Sequence, residues 1–182
     1  MSSDAARRLA AGIDGDEDDR RGPARSRSPR ELRTAAVPHG QGALGALVGY
    51  NCRRAYLAVL EHSIRHMSEH DLRPTSFSVL SLVHHEPGLN SRQVSRVLGI
   101  HPPNLVAIIA SLEARKLIER RPDPADARSL GLHPTVDGSR LASRLERVLA
   151  RAEIAATSML SDAERETLLE LLRRIWSSPQ QS

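Results

Sequence analysis

The chain has 182 residues, a formal net charge of +4 and a single cysteine, Cys52. The length suits one folded domain or one domain with a tail, and a single cysteine excludes an intrachain disulfide and any metal cluster held by several cysteines. No apolar run approaches the roughly 20 residues of a membrane span and the N-terminus lacks the apolar segment of a signal peptide, so we expect a cytoplasmic protein with no membrane partner.

Residues 1–40 combine the acidic run "DGDEDD" with the basic run "RRGPARSRSPR" and few large apolar side chains. Such a composition cannot offset the entropy of ordering the chain, which predicts a disordered tail. From about Ala43 to Met67, apolar residues recur at steps of three and four. This spacing predicts a long first helix with one apolar face. Because aromatic residues make up only 2% of the chain, Leu, Val, Ile and Ala must supply the core, as is usual in helical proteins.

Two short helices are predicted next. Pro74 suits the first turn of a second helix, which "EPG" at residues 86–88 ends. Asn90 and Gln93 have the spacing of a capping box at the start of a third helix, and Gly99 ends it. The inner face of this third helix is predicted to consist of Val94, Val97 and Leu98.

A fourth helix begins after only two or three residues, since Pro102 is acceptable at a first helical position. Its inner face is predicted to consist of Leu105, Ile108, Ile109 and Leu112. Two short helices joined by a tight turn have the form of a helix-turn-helix, whose second helix can enter the major groove of DNA.

The segment after the fourth helix predicts a β-hairpin. Strand-like runs at residues 117–118 and 130–132 flank the loop "RRPDPADAR", whose Pro and Asp residues favour a turn and whose arginines make the tip basic. Thr135 then caps a long helix that continues to about Met159. Ser161 and Glu164 form a capping box for the last helix, whose apolar stripe ends with Ile175 and Trp176.

Three motifs in this order resemble those of a MarR-type winged helix-turn-helix transcription regulator: "LEARKLIER" at residues 112–120, the Asp126-x-Arg128 wing tip, and Thr135-x-x-Gly138 at the start of the long helix. The resemblance covers residues 43–177. It implies a mainly α fold with a small β-hairpin wing, in which residues 43–70 and 136–177 form dimerisation helices and residues 74–135 form a DNA-binding lobe. It further implies a homodimeric repressor that releases double-stranded DNA when a small molecule, an oxidant or a metal is sensed.

The predicted DNA site combines cations with the exposed positions of the third and fourth helices. Phosphate contacts are expected from Arg92, Arg96, Arg115, Lys116, Arg120, Arg121 and Arg128, with Asp126 holding Arg128 in position as in the family pattern. The other candidates are Ser91, Gln93, Pro102, Pro103, Asn104, Val106, Ala107 and Ser111.

The outward face of the fourth helix has no charge, although relatives commonly have Arg, Ser or Thr there. Asn104 can pair with an adenine edge, and Val106 or Ala107 can contact thymine methyl groups. We therefore predict A·T-containing half-sites, with much of the readout left to the wing and to DNA shape. Free amides at the start of this helix, that of Asn104 among them, are expected to face a phosphate. Alternatively, the face covers a protein partner.

Several residues are candidates for sensing a signal. Cys52 occupies a periodic apolar position, which favours burial over a role as an oxidant sensor. His62, His66 and His70 lie along one helix face, but one helix supplies at most two ligands to one ion, so we predict no metal site and no cofactor. The resemblance to the MarR family also implies an effector pocket, and we predict Tyr56, His62, His66 and His84 at its edges.

An enzyme is not expected, because the chain has no Gly-rich phosphate loop, nucleophile elbow or zinc-protease signature. The alternative to a DNA-binding regulator is a winged-helix interaction module that does not bind DNA specifically. The uncharged fourth helix favours that alternative, whereas Asp126 and Arg128 favour DNA binding.

Overall fold

The computed structural model describes residues 42–123 and 126–177, apart from the side chains of residues 123–128. The predicted tail, residues 1–40, therefore lies outside the described residues. A 3-10 turn, Gly42–Ala46, precedes the elements α1 Val48–Ser68, α2 Pro74–His85, α3 Ser91–Leu98, α4 Pro102–Ala114, β1 Ile118–Asp123, β2 Asp126–Pro134, α5 Val136–Ala156 and α6 Asp162–Ser177. This order confirms the predicted fold class of a mainly α chain with one β-hairpin.

The chain divides into two compact units. We call Ser63–Arg151 the winged lobe. We call the described part of the other unit, residues 42–62 and 152–177, the terminal-helix unit. Both α1 and α5 contribute residues to each unit.

The core of the winged lobe is built from the predicted helix faces. Val79, Leu80 and Val83 of α2 are fully buried. Of the predicted inner residues of α4, Ile108 is half-buried, whereas Leu105, Ile109 and Leu112 are at most 1% exposed. Each such side chain contributes about 1.5–3 kcal/mol through burial. The prediction for Val97 is wrong: it is 55% exposed. Val97 and Leu98 lie about 100° apart around the helix, on either side of the buried Val94, and of these two only Leu98 is part-buried.

Side-chain caps set where α3 and α5 start, whereas α2 and α4 start at a proline without a side-chain cap. The Gln93 amide donates to the Asn90 side chain at 3.0 Å and the Asn90 amide donates to Gln93 Oε1 at 2.8 Å, which confirms the capping box of α3. Thr135 Oγ1 accepts the Gly138 amide at 2.9 Å at the start of α5 and donates to the Lys116 carbonyl at 2.7 Å. At Gly138, a Cβ would overlap the carbonyl oxygen of Leu117, so only glycine fits.

The hairpin is longer than the sequence predicted. Antiparallel pairing runs from Ile118↔Pro134 to Pro122↔Leu130, with an irregularity between Pro122 and Asp123. Most of the predicted loop is therefore strand, since cross-strand pairing outweighs the local turn preference of Pro and Asp, and proline is tolerated in a strand at the edge of a sheet. On its other side, β2 contacts the α2–α3 connection, where the Gly88 amide donates to the Leu132 carbonyl at 2.8 Å.

The terminal-helix unit consists of the 3-10 turn, most of α1, the end of α5 and α6. The first helix begins at Val48 instead of about Ala43, and α5 ends at Ala156 instead of about Met159. The predicted capping box of α6 is confirmed, because the Ser161 amide donates to Glu164 Oε2 at 2.8 Å and the Glu164 amide donates to Ser161 Oγ at 3.3 Å. The apolar stripes that the sequence predicted in this unit are present but not buried, as no described residue of the unit is.

Within the described residues, no single helix has the length and apolar character needed to cross a membrane. The pair α3 and α4 passes that test only when taken together. The two helices are bent by 115° at the break between them.

Candidate nucleic-acid interface

The short helix α3 presents two arginines on the outside of the winged lobe. Val94 anchors the helix in the core, and the left-handed Gly99, with φ of 62°, ends it. Arg92 and Arg96 are exposed, and neither has an ion-pair partner in the described part of the chain. Both guanidinium groups are therefore available for an external anion. Gln93 is exposed as well, but its side chain already serves the capping box.

The outward face of α4 is fully exposed and uncharged. The predicted contact residues on it that are exposed are Pro102, Pro103, Asn104, Val106, Ala107 and Ser111. The prediction of a free Asn104 amide is wrong, because that amide donates to the His101 carbonyl at 3.0 Å. The two preceding residues are prolines, which have no N–H. This helix start therefore offers side chains, and not the amides of residues 102–104, to a ligand.

Two neighbouring cations, Arg115 and Lys116, lie at the turn after α4 and make different contacts. The Lys116 amide donates to the Glu113 carbonyl and the Leu117 amide to the Leu112 carbonyl, at 2.8 and 3.0 Å, which is a Schellman helix end. Lys116 occupies its left-handed position with φ of 55°, and its exposed side chain has no ion-pair partner among the described residues. Arg115 instead donates from Nη1 to the Asp71 carbonyl at 2.9 Å and from Nη2 to the His70 carbonyl at 2.6 Å. Arg115 thus fixes the end of α1, and its predicted phosphate contact remains a prediction.

The base of the wing carries two arginines that are paired with acids. Arg120 Nε donates to Glu113 Oε1 at 2.9 Å. Arg121 Nε donates to Glu119 Oε1 at 2.8 Å. Exposed pairs of this kind are worth only about 0–1 kcal/mol, so a phosphate can replace the carboxylate at little cost.

The side-chain contacts predicted at the wing tip remain a prediction. Asp126 and Arg128 belong to β2, but their side chains lie outside the described ones. The predicted contact between them, and the reach of Arg128 into a minor groove, are therefore untested.

A cleft of about 420 Å³ lies between the start of α3 and the wing. It brings together three predicted residues, Ser91, Arg92 and Arg120. Ser129 and Leu130 of β2 also line it, together with Asn90. The sequence analysis missed the two β2 residues, because their position depends on the hairpin register, and no local motif signals that register.

The residues predicted at the edges of an effector pocket fall in both units. Tyr56, which is 55% exposed, and His62 belong to the terminal-helix unit, while His66 and His84 belong to the winged lobe. His62 Nδ1 lies 3.0 Å from the Ala58 carbonyl oxygen within its own helix. Cys52, predicted to be buried, is half-buried. A shared pocket for these residues remains a prediction.

Comparisons of the sequence and of the structure with known proteins both find transcriptional regulators. A model of the MarR family matches residues 70–129. YkoM, an uncharacterized HTH-type transcriptional regulator of Bacillus subtilis (strain 168), is 33% identical over 121 residues, which span 66% of this chain and 79% of YkoM. The chain belongs to the MarR family. MarR-family membership makes it a transcriptional regulator with a winged-helix DNA-binding fold, and not an enzyme.

Solved MarR-type structures show the same fold with different ligands. The transcriptional repressor CouR bound to a 23-mer DNA duplex has a TM-score of 0.68 and 37% sequence identity, covering 74% of this chain and 96% of that chain. CouR bound to p-coumaroyl-CoA has a TM-score of 0.67 and 34% identity, covering 75% of this chain and 96% of that chain. These similar structures therefore include a DNA-bound and a small-molecule-bound state of a MarR-type repressor.

Proposed function

We propose that this MarR-family protein is a homodimeric repressor that binds a pseudo-palindromic operator and leaves it when a small molecule is sensed. The observation that carries the proposal is one exposed surface of the winged lobe. It is composed of α3, the outward face of α4, the turn at Lys116 and the base of the wing. We call this surface the DNA face.

The charges of the DNA face support binding to phosphate. Arg92, Arg96 and Lys116 have no carboxylate partner among the described residues, so none needs to break an internal pair before binding an external phosphate. Together with Arg128 they supply about four phosphate contacts per lobe. Two lobes then neutralise about eight phosphates, which predicts a slope of log affinity against log salt of about −7.

The composition of α4 supports readout without charged side chains. Asn104 can donate to and accept from an adenine edge, whereas Val106, which is 60% exposed, and Ala107 suit thymine methyl groups. We infer that the operator half-sites contain A·T pairs opposite this helix. Arg120, Arg121 and Arg128 are assigned to the backbone and to the narrow minor groove, where a guanidinium is favoured over an ammonium.

The terminal-helix unit supports the homodimer. Its described residues include twelve large apolar side chains that are more than 40% exposed, far more apolar surface than a stable monomer usually leaves in water. A second copy of the chain supplies a matching surface by twofold symmetry. On this proposal, residues 43–70 and 136–177 form dimerisation helices, residues 74–135 form the DNA-binding lobe, and residues 1–40 form a disordered tail.

The signal is proposed to be a small organic molecule. CouR, similar to this chain over most of its length, has been solved with p-coumaroyl-CoA, so aromatic acids and their CoA thioesters are the first compounds to test. Tyr56, His62, His66 and His84 are the proposed contacts. An oxidant acting on Cys52 or a metal ion are the other signals to include, and the proposed place of action is the cytoplasm, where the DNA is.

A second candidate function follows from the uncharged exposed face of α4, which suits a protein surface as well as a base edge. On that alternative, the chain is an interaction module without specific DNA binding.

Fluorescence anisotropy with a duplex from upstream of the protein's own gene tests the proposal at several salt concentrations. We expect tight, sequence-selective binding with a slope of about −7. Flat, weak binding without sequence preference would support the interaction module.

The variant Lys116→Gly sharpens this test. It removes one cation per lobe and also relieves the cost of about 1 kcal/mol of a left-handed non-glycine residue. The salt slope should therefore fall to about −5 while the protein becomes more stable, so damage to the fold cannot explain the loss of affinity. Arg147→Ala, which removes an exposed cation from α5 outside the DNA face, is the matched control and should leave the slope unchanged. Equal slopes for wild type and Lys116→Gly would remove Lys116 from the DNA face.

A further inference from the structure

The last turns of α2 and the middle of α5 meet in a polar patch within the winged lobe. Ser81, His84 and His85 lie on α2, and Ser143 and Glu146 lie on α5. Spacings of three and four residues place the members on one face of each helix. None of these residues belongs to the DNA face.

Hydrogen bonds join the two helices across this patch. Ser81 Oγ donates to Glu146 Oε1 at 2.6 Å, and His85 Nε2 lies 3.0 Å from the same carboxylate oxygen. His84 Nε2 lies 3.1 Å from Ser143 Oγ. The two imidazole rings are 4.9 Å apart, centroid to centroid, and tilted by 55°.

The arrangement provides three metal-ligand atoms in one place. One ring nitrogen from His84, one from His85 and one carboxylate oxygen from Glu146 all lie within 4.8 Å of one another. Among the described residues this is the one cluster of His, Cys, Asp and Glu side chains with that property. It differs from the row of His62, His66 and His70 that the sequence suggested, because Glu146 is 61 residues away from His85 in the chain.

The burial of Glu146 supports a cation at this position. Its side chain is only 10% exposed, whereas that of His85 is 57% exposed. Within the described ranges this carboxylate has polar contacts with Ser81 and His85 but no Arg or Lys partner, and a largely buried carboxylate is stabilised further by a nearby positive charge. A divalent ion held between Glu146 and the two imidazoles supplies that charge.

We propose that His84, His85 and Glu146 bind one divalent transition-metal ion of the zinc class. Two imidazoles and one carboxylate form a ligand set suited to Zn²⁺, with a fourth tetrahedral position left for water. The ligand set contains no sulfur and has too few oxygens to favour Mg²⁺ or Ca²⁺. The ion would tie α2 to α5.

Titration of the full-length protein with Co²⁺, free of DNA, tests the site by visible absorption, because the Co²⁺ band strengthens when its coordination falls from six to four ligands. We expect one Co²⁺ per protomer and its displacement by Zn²⁺. Since no DNA is present, a negative result here leaves the proposed operator binding untouched.

Three variants make the assignment specific. Glu146→Gln keeps an oxygen that can accept the Ser81 hydrogen bond but removes the charge, so the fold is retained while metal affinity should fall by roughly 100-fold. His85→Ala should lower metal affinity similarly, because it removes one ligand. The fold should be retained, because the His85 side chain is mostly exposed and little packing is lost. His70→Gln, a histidine of the same lobe outside the cluster, should bind metal as wild type does.

Thermal unfolding without metal verifies that all the proteins are folded. Absence of a four-coordinate Co²⁺ band in the wild type would overturn the proposal. So would unchanged metal binding in folded Glu146→Gln and His85→Ala, in which case Ser81, His85 and Glu146 form only a hydrogen-bonded tie between two helices.

Discussion

The winged lobe and the terminal-helix unit use the same residue types in opposite ways. All fifteen buried apolar side chains of the described structure lie between Met67 and Leu149, in the winged lobe. The terminal-helix unit has none, and twelve of the seventeen large exposed apolar side chains belong to it. An amphipathic helix is stable in water only when its apolar face is covered. The lobe therefore carries its own core, whereas the apolar faces of the terminal helices are left exposed within one chain, and the proposed homodimer would cover them.

The space beside the glycines also differs between the two units. In the winged lobe, a Cβ at Gly131 would lie 2.6 Å from the Gly88 carbonyl oxygen, and one at Gly138 would overlap the Leu117 carbonyl. In the terminal-helix unit, a Cβ at Gly49 would have no neighbour within 4 Å. The backbone of the lobe is thus packed at close range at these two glycines, while open space lies beside Gly49 and, in the lobe itself, beside the helix end at Gly99.

The largest effect is expected from a charge on the terminal helices. Ile175→Glu should weaken dimerisation by about 3 kcal/mol or more, because it removes a buried apolar side chain from the proposed interface and replaces it with a carboxylate. Val97→Glu is the matched control, since Val97 is 55% exposed and Ile175 is 59% exposed, but Val97 lies on α3 of the winged lobe, outside the proposed dimerisation helices. Sedimentation velocity over a range of concentrations measures the shift. Equal dissociation of the two variants would show that the contrast between the units does not identify the dimer interface.

A smaller effect of opposite sign in the two units is expected from a single methyl group. Gly138→Ala should lower the free energy of unfolding by about 3 kcal/mol, because the new Cβ meets backbone that cannot move aside. Gly49→Ala should raise it by about 0.5–1 kcal/mol, because alanine restricts the unfolded chain and favours helix. Urea denaturation at fixed protomer concentration compares them. A tolerated Gly138→Ala would show that α5 can shift away from Leu117.

The features predicted correctly from the sequence are those set by neighbouring residues. The capping boxes at Asn90 and Ser161 and the cap at Thr135 each involve side chains within three residues, so their spacing alone indicates them. Most of the inner face of α4 follows from helical periodicity in the same way. The fold class therefore followed from local chemistry combined with the order of the parts.

The features that were missed depend on residues far apart in the chain. Arg115 looks like a phosphate ligand from its neighbours, yet its guanidinium binds carbonyls 44 and 45 residues away. The hairpin extends through Pro122 because β2 pairs with it, against the local turn preference. The carboxylate of Glu146 reaches His85 only in the folded lobe. No local sequence pattern reports these contacts, because each forms only when distant parts of the chain come together.

The smallest effect is a dependence of stability on pH in the terminal-helix unit. Partial desolvation of the carboxyl raises the pKa of Glu153 above its usual value of 4.5, although the residue as a whole is exposed within one chain. Between 4.5 and this raised pKa the folded state holds more protons than the unfolded state, so stability falls as pH rises through that window and the loss is complete above the folded pKa. Glu153→Gln should remove this part of the pH dependence and be more stable than wild type at neutral pH. Glu170→Gln, which removes a charge from exposed α6 in the same unit, should keep it. Melting temperatures of the three proteins are measured from pH 4.5 to neutrality. A Glu153→Gln curve parallel to the wild-type curve would show that Glu153 does not contribute to the pH dependence of stability.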